Sequence, residues 1–204
     1  DLEDQPAVYR LQRRLLEAAP TAGTPWLDPT DAMQANYIRL MGGQNLSRDP
    51  ADMGAYYAIS DTALREVRRA TNELHRMFLH ATNYALENDD VLARFNLPPS
   101  LWPRIRQSWS NRRSEMITGR FDFSVRPEGV KAYEYNADSA SCYMEAGFLF
   151  QRWSHAFGCT AGLDPAAGLH DALVQAWCNS GVNGLLHIML DHDLEESYHA
   201  LFMH

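Results

Sequence analysis

Hydrophobic and polar positions change rhythm at about residue 114. In the first half the apolar residues recur at helical spacing. Leu11, Leu15 and Leu16 lie to one side of several arginines and predict a short amphipathic helix over 8–18. Residues 18–31 are broken by prolines and glycine and read as a loop, and Gln34 to Met41 reads as a helix closed by Gly42-Gly43. Ser60-Asp61 then opens the strongest pattern: Leu64, Val67, Leu74, Met77, Phe78, Ala81 and Ala85 recur at three- and four-residue steps to about Leu86. A short helix over 89–95 ends before Pro98-Pro99, and Ser100 is expected to cap another that carries Pro103 in its first turn and runs to about Arg113.

Beyond that point the period falls to two. Ile117 to Val125 alternates and predicts a strand, Arg126-Pro127-Glu128-Gly129 a turn, and Val130 to Asn136 a second strand, so the pair forms a hairpin. A helix of about sixteen residues is expected from 138–141 to Phe157, and another from Asp164-Pro165 to Cys178. Gly184 to Leu190 suits a buried strand, and Leu194 to Met203 a final helix. The fold class is therefore mixed α/β: residues 1–113 mainly helical, then 114–204 as a hairpin followed by helix-helix-strand-helix. The pattern stops at His204 without a cap, which reads as a piece of a longer chain.

With 204 residues, 46% hydrophobic and 22% charged, the composition is that of an ordinary globular chain. The longest apolar run is far short of a membrane span. A net charge of −8 argues against nucleic-acid binding. Cys142, Cys159 and Cys178 form no C-x-x-C motif, so free thiols in a reducing, cytoplasmic compartment are expected. Lys131 is the only lysine among 18 basic residues, which leaves no room for a lysine-based phosphate loop. His75 and His80 are five apart, share no helix face, and read as structural.

The hairpin carries the candidate chemistry. A three-residue loop, Pro127-Glu128-Gly129, pairs Arg126 with Val130 and sets Asp122 opposite Glu134 and Arg120 opposite Asn136. It places Val130, Ala132, Glu134 and Asn136 on the polar face. A two-residue loop would drive Glu134 onto the apolar face opposite Phe121 and is rejected on burial grounds. Facing carboxylates repel unless compensated by a shared proton, by Arg120, or by a divalent cation. Asp122, Glu134 and Asn136 are hard oxygen donors suited to Mg²⁺. A solvated sheet face with an arginine–carboxylate pair fits the same spacing. Ser139 and Ser141 stand where a helix start either caps itself or holds an anion. Asp191, Asp193, Glu195 and Glu196 either cap a helix or receive a polycation such as a polyamine.

Gly119-Arg-Phe-Asp-Phe-Ser together with Glu134-Tyr-Asn-Ala-Asp-Ser-Ala-Ser141 resembles the glutathionylspermidine synthase family, kin to trypanothione synthetase. Ala70-Thr-Asn-Glu-Leu-His75, Met116-Ile-Thr-Gly-Arg120 and Asp193-Leu-Glu-Glu-Ser-Tyr-His-Ala200 extend the likeness over nearly the whole chain. The resemblance implies part of an ATP-grasp ligase. In it ATP phosphorylates the glycine carboxylate of glutathione, and an amine of spermidine or a related polyamine attacks the acyl phosphate. It implies that Arg120 contacts the transferring phosphate and glutathione, that Asp122, Glu134 and Asn136 hold Mg²⁺, that Asp122 and Arg120 face ATP, that Ser139 and Ser141 bind glutathione, and that Glu195 and Glu196 line the substrate site. The family's ATP-clasping half and the amidase domain of some members have no counterpart in these residues. A segment of this kind alone is not expected to ligate. A non-catalytic glutathione- and metal-binding relic of the fold is one alternative, and a two-carboxylate hydrolase the weaker other.

Overall fold

The computed structural model describes residues 8–18, 24–115, 118–137, 141–159 and 161–204. The chain divides into two compact units: one comprises Asp1–Arg10, Ser60–Ser139 and Gln175–Val182, the other Leu11–Ile59, Ala140–Val174 and Asn183–His204.

In the first unit, helix α2 (Asp61–Glu87) follows the predicted pattern. The Ser60 hydroxyl accepts from the Ala63 amide at 3.1 Å and donates to the Val8 carbonyl at 2.6 Å, so one side chain starts the helix and ties down the residues before it. Asn88 ends α2 in an extended conformation, and its side chain caps the next turn, α3 (Asp89–Leu92). Pro99–Leu101 forms a 3₁₀ turn before α4 (Trp102–Glu115), so Ser100 lies inside that turn and not at a cap. Arg106 Nε donates to the Leu86 carbonyl at 2.9 Å and Trp109 Nε1 to Asn83 Oδ1 at 3.1 Å, which fastens α4 to the end of α2. The unit is completed by the hairpin, β3 (Gly119–Arg126) and β4 (Gly129–Ala137). Ile117, the first residue of the expected strand, lies outside the described residues.

In the second unit, α1 (Ala32–Met41) is capped by Asp31 and stopped by Gly42 at φ 70°. Its core gathers Trp26, Leu27, Tyr37, Met144, Leu149, Trp153 and Tyr198. Gln44 supplies the polar clasp: its Oε1 accepts from the Trp26 and Leu27 amides, and its carbonyl takes the Trp26 indole N–H at 2.9 Å. The segment after the hairpin enters a π-helical turn, Glu145–Leu149, that continues as α5 (Phe150–Ala156). Helix α6 (Leu169–Asn179) belongs to this unit up to Val174 and to the first unit from Gln175, and helix α7 (Leu194–Met203) belongs to this unit.

Three expectations are corrected. Residues 8–18 do not form an amphipathic helix: Gln12–Leu15 is strand β1, antiparallel to β2 (Ala55–Ala58). Leu11 and Leu15 are exposed, so no apolar helix face exists there, while Arg13 reaches Asp52 at 2.7 Å and the Ala51 carbonyl at 2.8 Å. Tertiary pairing overrides a weak local period. Gly184 to Leu190 is not a buried strand: Leu185 is 87% exposed and Met189 95%. Among the described residues the sheets are two separate pairs, β1–β2 and β3–β4, and this run is a strand of neither. Of the helix expected from 138–141, residues 138–140 lie outside the described residues; Ser141 and Cys142 are not helical, Cys142 standing at φ 75°, and helical turns begin at Tyr143.

Leu149→Ala should lower stability by about 2–5 kcal/mol in urea denaturation. Leu185→Ala should change it by less than about 0.5 kcal/mol. Equal losses would place residue 185 in the core.

Candidate functional site

The hairpin reaches its register by an unforeseen route. The loop has two residues, with Arg126 paired to Gly129, Val125 to Val130 and Phe123 to Ala132. A bulge then intervenes: Asp122 pairs with Glu134, leaving Tyr133 as the extra residue, 73% exposed. The expected three-residue loop is thus wrong, yet the expected pairs Asp122–Glu134 and Arg120–Asn136 both form. The extra residue also corrects the faces. Val130 and Ala132 pair with Val125 and Phe123 on the apolar side, while Glu134 and Asn136 cross to the polar side. A two-residue loop puts Glu134 on the apolar face only in an unbroken ladder, and one inserted residue removes the conflict.

Arg120 stands between the two carboxylates. Its Nε donates to Asp122 Oδ1 at 2.8 Å and its Nη2 to Oδ2 at 3.3 Å, and Nη2 lies 3.9 Å from Glu134 Oε1. Asn136 Nδ2 donates to that same Glu134 oxygen at 2.8 Å. The guanidinium holds the Asp122 carboxyl below the usual aspartate range. The four groups therefore share one partly exposed face. Both Asp122 oxygens and Glu134 Oε1 accept hydrogen bonds, and with the Asn136 amide they make a hard-oxygen set of the kind a hydrated Mg²⁺ takes with a phosphate completing its shell. Among the described residues there is no group of three or more His, Cys, Asp or Glu side chains able to hold a metal, so any ion here depends on the amide of Asn136 and on its ligand.

Ser139 lies outside the described residues. Ser141 precedes Cys142 in the second unit, with its Oγ 3.6 Å from the Cys142 Sγ. Glu195 and Glu196 occupy the first turn of α7, where Asp193 Oδ1 accepts the Glu196 amide at 2.7 Å. Asp193 is thus a true cap, and the two glutamates project from an electropositive helix end.

Two features escaped the sequence reading. Tyr198, buried in the second unit, donates to Glu145 Oε1, and the other oxygen of Glu145 is shielded without a partner among the described residues. Burial, then the Glu145 bond, pushes the Tyr198 hydroxyl upward, and burial raises that of neighbouring Tyr37 to about 12. Behind the hairpin, His75 Nδ1 and the Tyr135 hydroxyl share a hydrogen bond at 3.0 Å. Gly119 interrupting an alternating strand was the available signal for a close approach there.

Residues 40–203 match a model of the glutathionylspermidine synthase preATP-grasp domain. The chain belongs to the glutathionylspermidine synthase family. It is 48% identical over 178 residues to the bifunctional glutathionylspermidine synthetase/amidase of Escherichia coli K12, covering 87% of this chain and 28% of that protein. Over 199 residues it is 33% identical to the trypanothione synthetase of Crithidia fasciculata, covering 94% of this chain and 30% of that protein. The chain thus spans less than a third of the length of these glutathionylspermidine synthase relatives. No helix among its described residues is long and apolar enough to cross a membrane.

Because the folded-state pKa of Asp122 is depressed, its contribution to stability is fully present above the ordinary aspartate value of about 4 and is lost as pH falls through the lower folded value. Urea midpoints of the parent and of Asp122→Asn should differ most above about pH 5 and converge toward pH 3. Curves that stay parallel throughout would show that the Arg120–Asp122 pair contributes nothing.

Proposed function

We propose that this chain forms the glutathione- and magnesium-binding part of an ATP-dependent ligase that joins the glycine carboxylate of glutathione to an amine of spermidine or a related polyamine. The observation that carries this reading is the shared face of Arg120, Asp122, Glu134 and Asn136, on a chain whose family is that of glutathionylspermidine synthase. The chain spans under a third of the length of these relatives, and in this reading it contributes binding groups to the ligase.

In this reading a carboxylate oxygen of glutathione attacks the γ-phosphorus of ATP, ADP leaves, and the amine then displaces phosphate from the acyl carbon. Asp122, Glu134 and Asn136 would hold Mg²⁺, which would supply charge neutralisation at the phosphates. Arg120 binds the transferring phosphoryl group, for which its planar fork of donors is suited. That role requires it to exchange part of its bond to Asp122 for the phosphate, so the Arg120–Asp122 pair is the resting partner of a group that works elsewhere. Ser139 and Ser141 bind glutathione. Glu195 and Glu196 attract the polyamine, whose attacking nitrogen must be unprotonated while its other ammonium groups are held.

In a synthetase carrying this segment, Asp122→Asn should abolish ATP-dependent ligation while leaving the circular dichroism spectrum unchanged. Unaltered turnover would overturn the assignment. Glu195→Gln with Glu196→Gln should raise KM for the polyamine about tenfold or more, in the range of losing a charge-assisted bond, without changing KM for glutathione.

A further inference from the structure

The four polar residues of the hairpin alternate with two aromatic ones. Phe121 stands between Arg120 and Asp122, and Tyr135 between Glu134 and Asn136. On the reverse face these two rings stack, centroids 4.1 Å apart and planes within 9°. Phe78 of α2 packs on both, at 5.8 and 5.1 Å. Successive strand side chains point to opposite faces, so the direction of each polar group follows from how firmly its aromatic neighbour is held. The need is acute here because the Tyr133 bulge interrupts the ladder next to Glu134.

Two further features hold Tyr135. Its hydroxyl bonds His75 Nδ1 at 3.0 Å. Its ring lies so close to Gly119 that a Cβ there would come 2.9 Å from the ring and 3.0 Å from the hydroxyl oxygen. Only glycine at 119, next to Arg120, lets the ring take this position. Beside the contact is a cavity of about 240 Å³, lined from α2 by Thr71, Asn72 and His75 and from the hairpin by Thr118 and Tyr135. His75, from the first of the stretches noted in the sequence, and Gly119, from the second, thus meet at Tyr135.

We propose that His75 and Tyr135 are positioning residues: a latch behind the hairpin that fixes the directions of Arg120, Glu134 and Asn136 for the ion and phosphate. The inference rests on the metal-binding reading above. Partners one step behind a metal ligand commonly govern affinity about ten- to a hundredfold, and a latch one step further back should act more weakly.

The test titrates Mn²⁺, as a paramagnetic substitute for Mg²⁺, into the parent chain and into Tyr135→Phe, His75→Ala and Asp122→Asn. It also measures solvent exchange of the Arg120 Nε–H by NMR. Tyr135→Phe and His75→Ala should each weaken Mn²⁺ binding about three- to tenfold and speed Arg120 exchange by a similar factor. Added imidazole, which fits the space opened beside the cavity, should restore slow exchange in His75→Ala but not in Tyr135→Phe. If both variants match the parent in Mn²⁺ affinity and exchange while Asp122→Asn loses Mn²⁺, the latch is refuted and the metal reading stands. If Asp122→Asn binds Mn²⁺ like the parent, the metal reading fails and the latch is decided by Arg120 exchange alone. Should Tyr135→Phe not fold, His75→Ala with and without imidazole decides the matter.

Discussion

Two carboxylates facing each other across a β-ladder are a liability, and everything notable about this hairpin follows from how that liability is contained. Arg120 engages Asp122 with two nitrogens and lies within ion-pair distance of Glu134, while Asn136 occupies the Glu134 oxygen nearest it. The compensation is partial by construction. One cation serves two anions, the face is partly open to water, and exposed pairs of this kind contribute little to stability. Stability alone would have been better served by threonines at both positions. In the proposed reading, the negative charge left over is what a metal ion would offset.

The reverse of the same ribbon is built in the opposite manner. Stacked aromatics, a helix packed against them and a glycine that admits a ring leave little freedom. Rigid apolar packing behind and an underpaid polar set in front is a sound division of labour for a binding edge, since groups that must wait for a ligand cannot hold themselves in place.

Much of this was legible in the chain. Alternation over 119–136 announces the hairpin, and the pairs Asp122–Glu134 and Arg120–Asn136 stand as the sequence placed them. The bulge was not legible, because a single inserted residue leaves composition and period almost unchanged while moving every later side chain to the other face. The Tyr135–His75 contact was hidden for a different reason: the two residues are sixty positions apart, and pairing at that distance leaves no local trace. The errors over 8–18 and 184–190 share one origin. Short leucine-bearing segments take their structure from neighbours, and the neighbours of Gln12–Leu15 lie at Ala55–Ala58.

The π-helical turn of the second unit carries a comparable consequence. Met144 and Leu149 are both fully buried, and Trp153 nearly so. Five residues along an ordinary α-helix rotate the side chain about 500°, which would point Met144 and Leu149 about 140° apart. The wider turn at Glu145–Leu149 absorbs the surplus, and from Leu149 to Trp153 the usual step of four resumes. One residue of extra girth thus brings two out-of-phase stretches of helix onto a common core. Deleting one residue of that turn would leave Met144 and Leu149 four apart, the ordinary α-helical step, so both would still face the core, whereas forcing all five residues into α-helix would turn one of them away.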